Sequence, residues 1–106
     1  TIEPTRVVVL TTLSSVSLTS TEAPNLGSAT ATATVTQNGS PVTLGSTQVE
    51  VGSSVDVTVT ITGTPTGNVS VTAGSNTQTV GTAGGTVTGR YTVQLGSNTV
   101  ASIKDA

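Results

Sequence analysis

Five side chains that carry much of protein chemistry are missing: the sequence contains no Cys, His, Met, Phe or Trp. The usual general bases, thiol nucleophiles and soft metal ligands are therefore absent. Ser is abundant, but a Ser nucleophile needs a neighbouring base to activate it. The carboxylates are scattered along the chain, whereas a calcium site needs several clustered oxygen ligands. We therefore expect no enzyme, no cofactor and no metal site.

The lack of Cys also excludes disulfide bonds. A chain of 106 residues is long enough for one domain with a modest core. That domain must then be held by side-chain packing and backbone ladders alone.

Charge is scarce as well. Charged residues make up 8% of the chain, against about 25% in an ordinary soluble domain. The only basic residues are Arg6, Arg90 and Lys104, and the net charge is −2. Binding to nucleic acid or to an anionic membrane surface needs clustered Lys and Arg. We therefore expect neither nucleic acid nor an anionic membrane surface as a partner. The sequence also contains no apolar run of about 20 residues, so it predicts no membrane insertion.

The residues that are present favour β-structure. Thr is roughly a quarter of the chain and Val is the next commonest type; both are β-branched and favoured in strands. No amphipathic helical pattern runs for two turns. Turn signals recur at intervals of about 8–12 residues, which predicts an all-β sandwich of about 7–8 strands.

Individual strands can be read from alternation of apolar and polar residues. Val55–Thr62 alternates cleanly, with its Val and Ile side chains on one face. Ala29–Gln37 alternates Ala or Val with Thr, and Asn38-Gly39 then predicts a type I′ hairpin turn. The return strand is expected over Val42–Val51, with a break at Gly45. A later strand, Thr86–Leu95, is predicted to turn Val87, Gly89, Tyr91, Val93 and Leu95 inward.

The opening stretch Arg6–Leu18 differs from the other strands because it is apolar on both faces at its start. A bulge or a change of sheet near Thr11–Ser15 would explain the shift in its pattern. Burying its apolar side chains would contribute on the order of 10–20 kcal/mol, as an upper bound. These side chains are Val7, Val8, Val9, Leu10, Leu13, Val16 and Leu18.

Two pairings of this stretch are open. It is either the first strand of its own sandwich or a donor strand that completes a neighbouring subunit. A strand count one above the seven of an immunoglobulin-type sandwich favours donation, and the connection Thr19–Gly27 could serve as the hinge. The chain is accordingly divided into an arm, residues 1–20, and a sandwich, residues 21–106.

From Gln48 onward the chain resembles the bacterial immunoglobulin-like (Big-type) domains of cell-surface and adhesin proteins. Three motifs carry the resemblance: Val49–Val55, Thr64–Val71 and Leu95–Val100. It implies an immunoglobulin-like Greek-key sandwich with an extracellular structural role, and it transfers no catalytic residue. The overall plan is also similar to archaeal pilin-like subunits, which polymerise by donor-strand complementation.

Two segments match the acceptor pattern for N-linked glycans, Asn38-Gly39-Ser40 and Asn68-Val69-Ser70. Asn38 and Asn68 are therefore candidate glycosylation sites in a host that glycosylates. Asn38 also has a structural role to fill in the predicted turn.

The sequence thus predicts a structural subunit of an extracellular, pilus-like filament, in which copies of the chain join head to tail through the N-terminal strand. The alternative is a cell-surface, surface-layer or virion-decoration adhesin module. Such a module would bind a glycan or a receptor on a host or neighbouring cell through the loops Thr64–Asn68 and Gly81–Gly85.

Overall fold

The computed structural model of this chain describes residues 8–18, 23–96 and 98–106. These residues form strands throughout, apart from turns and one 3₁₀ turn at Pro24–Leu26. The strands are β1 (Leu10–Thr12), β2 (Thr30–Gln37), β3 (Ser40–Val42), β4 (Gln48–Glu50), β5 (Ser54–Thr62), β6 (Val69–Ala73), β7 (Asn76–Val80), β8 (Gly85–Thr92) and β9 (Ala101–Asp105).

The strands pack as two main layers. One sheet has the order β3-β2-β5-β8 and the other the order β7-β6-β9, while β1 and β4 form a separate two-stranded ladder. All of these ladders are antiparallel. The chain crosses between the layers from β5 to β6, from β7 to β8 and from β8 to β9. This connectivity confirms the predicted immunoglobulin-like Greek-key sandwich.

The core lies between the two layers and consists mainly of Val. On β5, the side chains of Val55, Val57, Val59 and Ile61 are at most 4% exposed, as the alternation predicted. Facing them, Val69, Val71 and Ala73 of β6 are fully buried. A slip of one residue in β5 would move its polar side chains into this core, so the alternation specifies the register.

The predicted hairpin between β2 and β3 is confirmed. Asn38 and Gly39 have φ values of 52° and 83°, as a type I′ turn requires. The register of the hairpin pairs Gln37 with Ser40 across this two-residue turn.

Two of the predicted strand boundaries are wrong. The expected return strand Val42–Val51 starts too late, because β3 already begins at Ser40 and ends at Val42. Its predicted break at Gly45 is confirmed: the turn Thr43–Thr47 separates β3 from β4 and takes the chain out of the first sheet. β8 ends at Thr92, so Leu95 lies in a loop and is 77% exposed instead of facing inward. In this second case the alternation continues to Leu95, past Thr92, where the backbone loses its ladder partner.

Gly89 allows the two layers to approach closely. It lies in the middle of β8, opposite Val57 of β5. A Cβ atom at this position would overlap the carbonyl oxygen of Ala73 in the other sheet. The backbone atoms of β6 therefore occupy the space that a side chain would need.

We expect Gly89→Ala to lower the free energy of unfolding by about 2–3 kcal/mol, because the methyl group forces the layers apart. The matched control is Gly81→Ala, whose methyl group would meet only Asn68 Oδ1, at 3.5 Å; that change should stay within about 0.5 kcal/mol. Urea denaturation of both variants measures the difference. Equal stability of the two would show that the layers separate freely at Gly89.

Candidate functional site: the N-terminal segment and its groove

Residues Val8–Leu18, here called the N-terminal segment, pair with two different parts of the sandwich. The first half forms the antiparallel ladder of β1 with β4, in which Leu10 lies opposite Glu50 and Thr12 opposite Gln48. The ladder extends one pair further, since the Val51 amide donates to the Val9 carbonyl oxygen at 2.8 Å.

At Leu13 the segment passes from β4 to β9. The Leu13 carbonyl oxygen accepts a hydrogen bond from the Gly45 amide at 2.7 Å, in the turn between β3 and β4. Ser14 then forms a parallel bridge with Thr99. The Val16 amide donates to Ala101 and the Ile103 amide donates to Ser17. The predicted change of sheet near Thr11–Ser15 is therefore present in the structure.

The second half of the segment completes the smaller sheet. In an immunoglobulin-type sandwich the sheet that contains strands C and F is closed by strand G. Here β6 and β9 correspond to strands C and F by their pairing and by their crossings between layers. The position beside β9 is taken by Ser14–Ser17, which run parallel to it.

The apolar side chains of the segment differ sharply in burial. Leu13 is fully buried in the core, and Leu18 packs against the core while half-buried. In contrast, Val8, Val9, Leu10 and Val16 are 43–51% exposed. Val7, the remaining residue of the predicted donor strand, lies outside the described residues. The groove between β4 and β9 thus buries Leu13, whereas side chains on both faces of Val8–Leu10 remain about half exposed.

Leu13 is the anchor of the segment in this groove. We expect Leu13→Ala to lower the free energy of unfolding by about 3 kcal/mol, because the change leaves a cavity in the core. Val16→Ala, on the same segment, should change it by less than about 0.5 kcal/mol. Thermal and urea denaturation of the two variants test this contrast. A cost for Val16→Ala as large as that for Leu13→Ala would show that the Val16 side chain is covered in solution.

Asn98 holds the loop to which the segment docks, a role that its place in the Leu95–Val100 motif does not indicate. It is 2% exposed, and its side-chain oxygen accepts from the Tyr91 hydroxyl at 2.9 Å and from the Gln94 amide at 2.8 Å. Its side-chain nitrogen donates to the carbonyl oxygens of Gln94 and Gly96. Its backbone carbonyl oxygen in turn accepts from both the amide and the hydroxyl of Ser14.

The same contacts define the role of Tyr91, the one aromatic residue of the chain. It is half-buried and packs against the core, in line with its predicted inward position. Its hydroxyl reaches the Asn98 side chain, so its polar end supports the docking loop while its ring fills space. A lone aromatic residue followed closely by Asn in a Gly-containing loop is the sequence signal that could have suggested the pair.

Asn98→Ala should cost about 3 kcal/mol of folding stability, because it removes all the hydrogen bonds that this buried side chain makes to Tyr91, Gln94 and Gly96. Tyr91→Phe removes a single hydrogen bond and keeps the ring, so we expect about 1 kcal/mol. Denaturation curves of the two variants provide the comparison. An Asn98→Ala cost no larger than that of Tyr91→Phe would contradict the role assigned to Asn98.

The two candidate glycosylation residues are in different settings. Asn38, Gly39 and Ser40 are all exposed at the tip of the β2–β3 hairpin. Asn68 is exposed, but its carbonyl oxygen accepts from the Asn25 side chain, and the next two residues enter β6, where Val69 is fully buried. Of the two, only Asn38 lies in a segment that is exposed over all three residues of the acceptor pattern.

No other cluster of reactive side chains is found in the described part of the chain. Among these residues no group of three or more Asp, Glu, His or Cys could hold a metal ion. Asp56 and Arg90 form an exposed ion pair at 3.5 Å. They border a shallow concavity of about 470 Å³ on the outer face of β5 and β8, away from the loops predicted for an adhesin.

No helix in residues 8–18, 23–96 or 98–106 is long and apolar enough to cross a membrane.

The predicted boundary between a 1–20 arm and a 21–106 sandwich falls within residues 19–22, outside the described residues.

Comparison of this chain with family models, curated proteins and solved structures finds no match. Any inference about function therefore depends on the geometry of the N-terminal segment and its groove.

Proposed function

We propose that this chain is a structural subunit of an extracellular filament, in which the N-terminal segment of one copy occupies the β4/β9 groove of the next. The observation that carries the proposal is the position of the segment. It completes the smaller sheet beside β9, although it lies at the opposite end of the sequence, and the apolar side chains of its first half remain about half exposed.

Exchange needs no new contacts. The backbone bonds from Val9 to Ser17 would be the same whether the segment came from its own chain or from a neighbour. The closed and exchanged forms then differ mainly in the connection that follows Leu18. Protein concentration decides which of the two forms is populated. Head-to-tail exchange is heterologous and need not close, so it builds a fibre.

Composition supports an extracellular position for such a fibre. The chain has no Cys or Met to be oxidised, and it has little charge. Its cohesion would come from main-chain ladders and alternating apolar residues, as in β-strand addition generally. A host or neighbouring cell surface would be a second class of partner.

The absence of Cys makes a disulfide test of exchange straightforward. Thr12 and Gln48 are both exposed and lie opposite each other in the β1–β4 ladder. Because Val9 and Val51 are a hydrogen-bonded pair, Thr12 and Gln48 form a non-hydrogen-bonded pair, in which the Cα atoms are about 4.5 Å apart. A Thr12→Cys/Gln48→Cys disulfide is therefore geometrically allowed.

The double variant is concentrated under reducing conditions, oxidised and run on a denaturing gel without reductant. Exchange predicts a ladder of disulfide-linked multimers, since each bond joins two copies. The matched control is Thr72→Cys/Thr77→Cys, a pair within the β6–β7 hairpin whose hydroxyl oxygens are 3.0 Å apart. That pair should form its disulfide within one chain at every concentration.

If Thr12→Cys/Gln48→Cys gives only internally bonded monomer at all concentrations, strand exchange is wrong. A loop-mediated adhesin module, the alternative function, would give that result. Electron microscopy of the oxidised and reduced samples shows whether the multimers are fibres.

A further inference from the structure

The outer edge of β2 is only partly covered. β3 pairs with Val35, Thr36 and Gln37 of this strand, and the chain then leaves the sheet at the turn Thr43–Thr47. Among residues 8–18, 23–96 and 98–106, Thr30–Thr34 have a ladder partner on one side only, which is β5. We call this stretch the open edge.

The hairpin determines which backbone groups face the open edge. A two-residue turn makes Gln37 and Ser40 a hydrogen-bonded pair, so Gln37 directs its N–H and C=O toward β3. Alternate residues point the same way, which brings the N–H and C=O groups of Ala33 and Ala31 to the open edge. Among the described residues, none of these groups has a ladder partner on that side.

The side chains show the same incomplete coverage. Ala31 and Ala33 face the core but are only half-buried, while Val59 and Ile61 beside them on β5 are at most 4% exposed. Thr30, Thr32 and Thr34 are exposed on the outer face. One more strand would complete both the backbone ladder and the apolar cover.

The edges at β3 and β8 are protected in ways that the open edge is not. β3 carries Pro41, a residue typical of edge strands. On β8, the Arg90 carbonyl oxygen accepts from the Ser75 amide and the Thr88 carbonyl oxygen from the Asn76 side chain. Thr30–Thr34 contains no charge and no Pro. Natural sheets use charged residues and Pro to prevent edge-to-edge pairing, so their absence from Thr30–Thr34 permits pairing with another strand.

The sequence of the open edge identifies its partner. Thr30–Thr34 reads Thr-Ala-Thr-Ala-Thr and is symmetric about Thr32. Two copies placed antiparallel about a two-fold axis at Thr32 would set Ala31 of each copy opposite Ala33 of the other. The small side chains let the sandwiches approach, and the Thr side chains stack as favourable cross-strand pairs. Such a contact is isologous, the same patch on both copies.

We propose that the open edge binds the open edge of a second copy of this chain, extending the β3-β2-β5-β8 sheet across the two-fold axis. The inference goes beyond the filament proposal and does not rest on strand exchange. It adds a side-to-side contact on an edge that the β4/β9 groove does not use.

The single substitution Thr32→Cys tests the geometry. Across the axis, residue 32 forms a non-hydrogen-bonded pair with its copy, a spacing that suits a disulfide. The matched control is Gln78→Cys at the centre of β7, which is exposed and, like Thr32, directs its backbone groups away from the outer edge of its strand. The symmetry about Gln78 extends only to Thr77 and Thr79, because Asn76 and Val80 differ. We expect oxidation to link Thr32→Cys copies at least roughly tenfold faster than Gln78→Cys copies. Equal rates would overturn the proposal.

A charge at the same position tests the contact without a covalent bond. Thr32→Lys places two like charges together on the axis and should weaken the dimer by roughly tenfold. Thr86→Lys adds the same charge to β8 of the same sheet and should leave it unchanged. An equimolar mixture of Thr32→Lys and Thr32→Glu chains should restore the dimer. Sedimentation velocity compares these three samples with the unsubstituted chain. No loss with Thr32→Lys, or no recovery in the mixture, would contradict two-fold pairing at this edge.

Discussion

Pairing of backbone groups at the sheet edges is the constraint on which this structure depends. The chain has no Cys to form a disulfide and few charged residues to form ion pairs, and its core is built largely of Val. Each buried edge must therefore find a ladder partner, because an unpaired buried N–H or C=O group costs as much as a lost hydrogen bond. The N-terminal segment meets this need beside β9, and no described strand does so beside Ala31 and Ala33.

Close packing imposes a second requirement on the same ladders. With small side chains in the core, the layers must approach closely to exclude voids. Gly89 permits this approach, since the carbonyl oxygen of Ala73 occupies the space of its absent side chain. The buried Asn98 plays a related part in the loop before β9. Its side chain bonds the Gln94 backbone within this loop, and its backbone carbonyl oxygen accepts a hydrogen bond from Ser14.

These features connect the fold with assembly. A strand that completes a sheet beside a strand distant in sequence can make the same contacts in its own subunit and in a neighbour. A symmetric open edge offers a further contact between copies. Filaments joined head to tail through one surface and side to side through the other would form bundles or sheets. Such assemblies would need no chemistry beyond hydrogen bonds and apolar packing.

Much of the fold could be predicted from local pattern. Alternation in Val55–Thr62 and the Asn38-Gly39 turn depend on neighbouring residues alone, so strand, turn and inward face followed from the sequence. The change of sheet near Leu13 was also visible, because the apolar pattern shifts from one face to the other. Strand ends were less predictable: alternation continues to Leu95, whereas the ladder stops at Thr92.

The tertiary structure alone decided which edges meet. Nothing local to Ser14 indicates Thr99 as its partner, since the two are far apart in sequence and joined only by packing. The roles of Asn98 and Gly89 arise in the same way, from groups that other strands bring to them. The sequence by itself determined an all-β sandwich and an unusual first strand. Long-range pairing decided where that strand lies and which edge remains open.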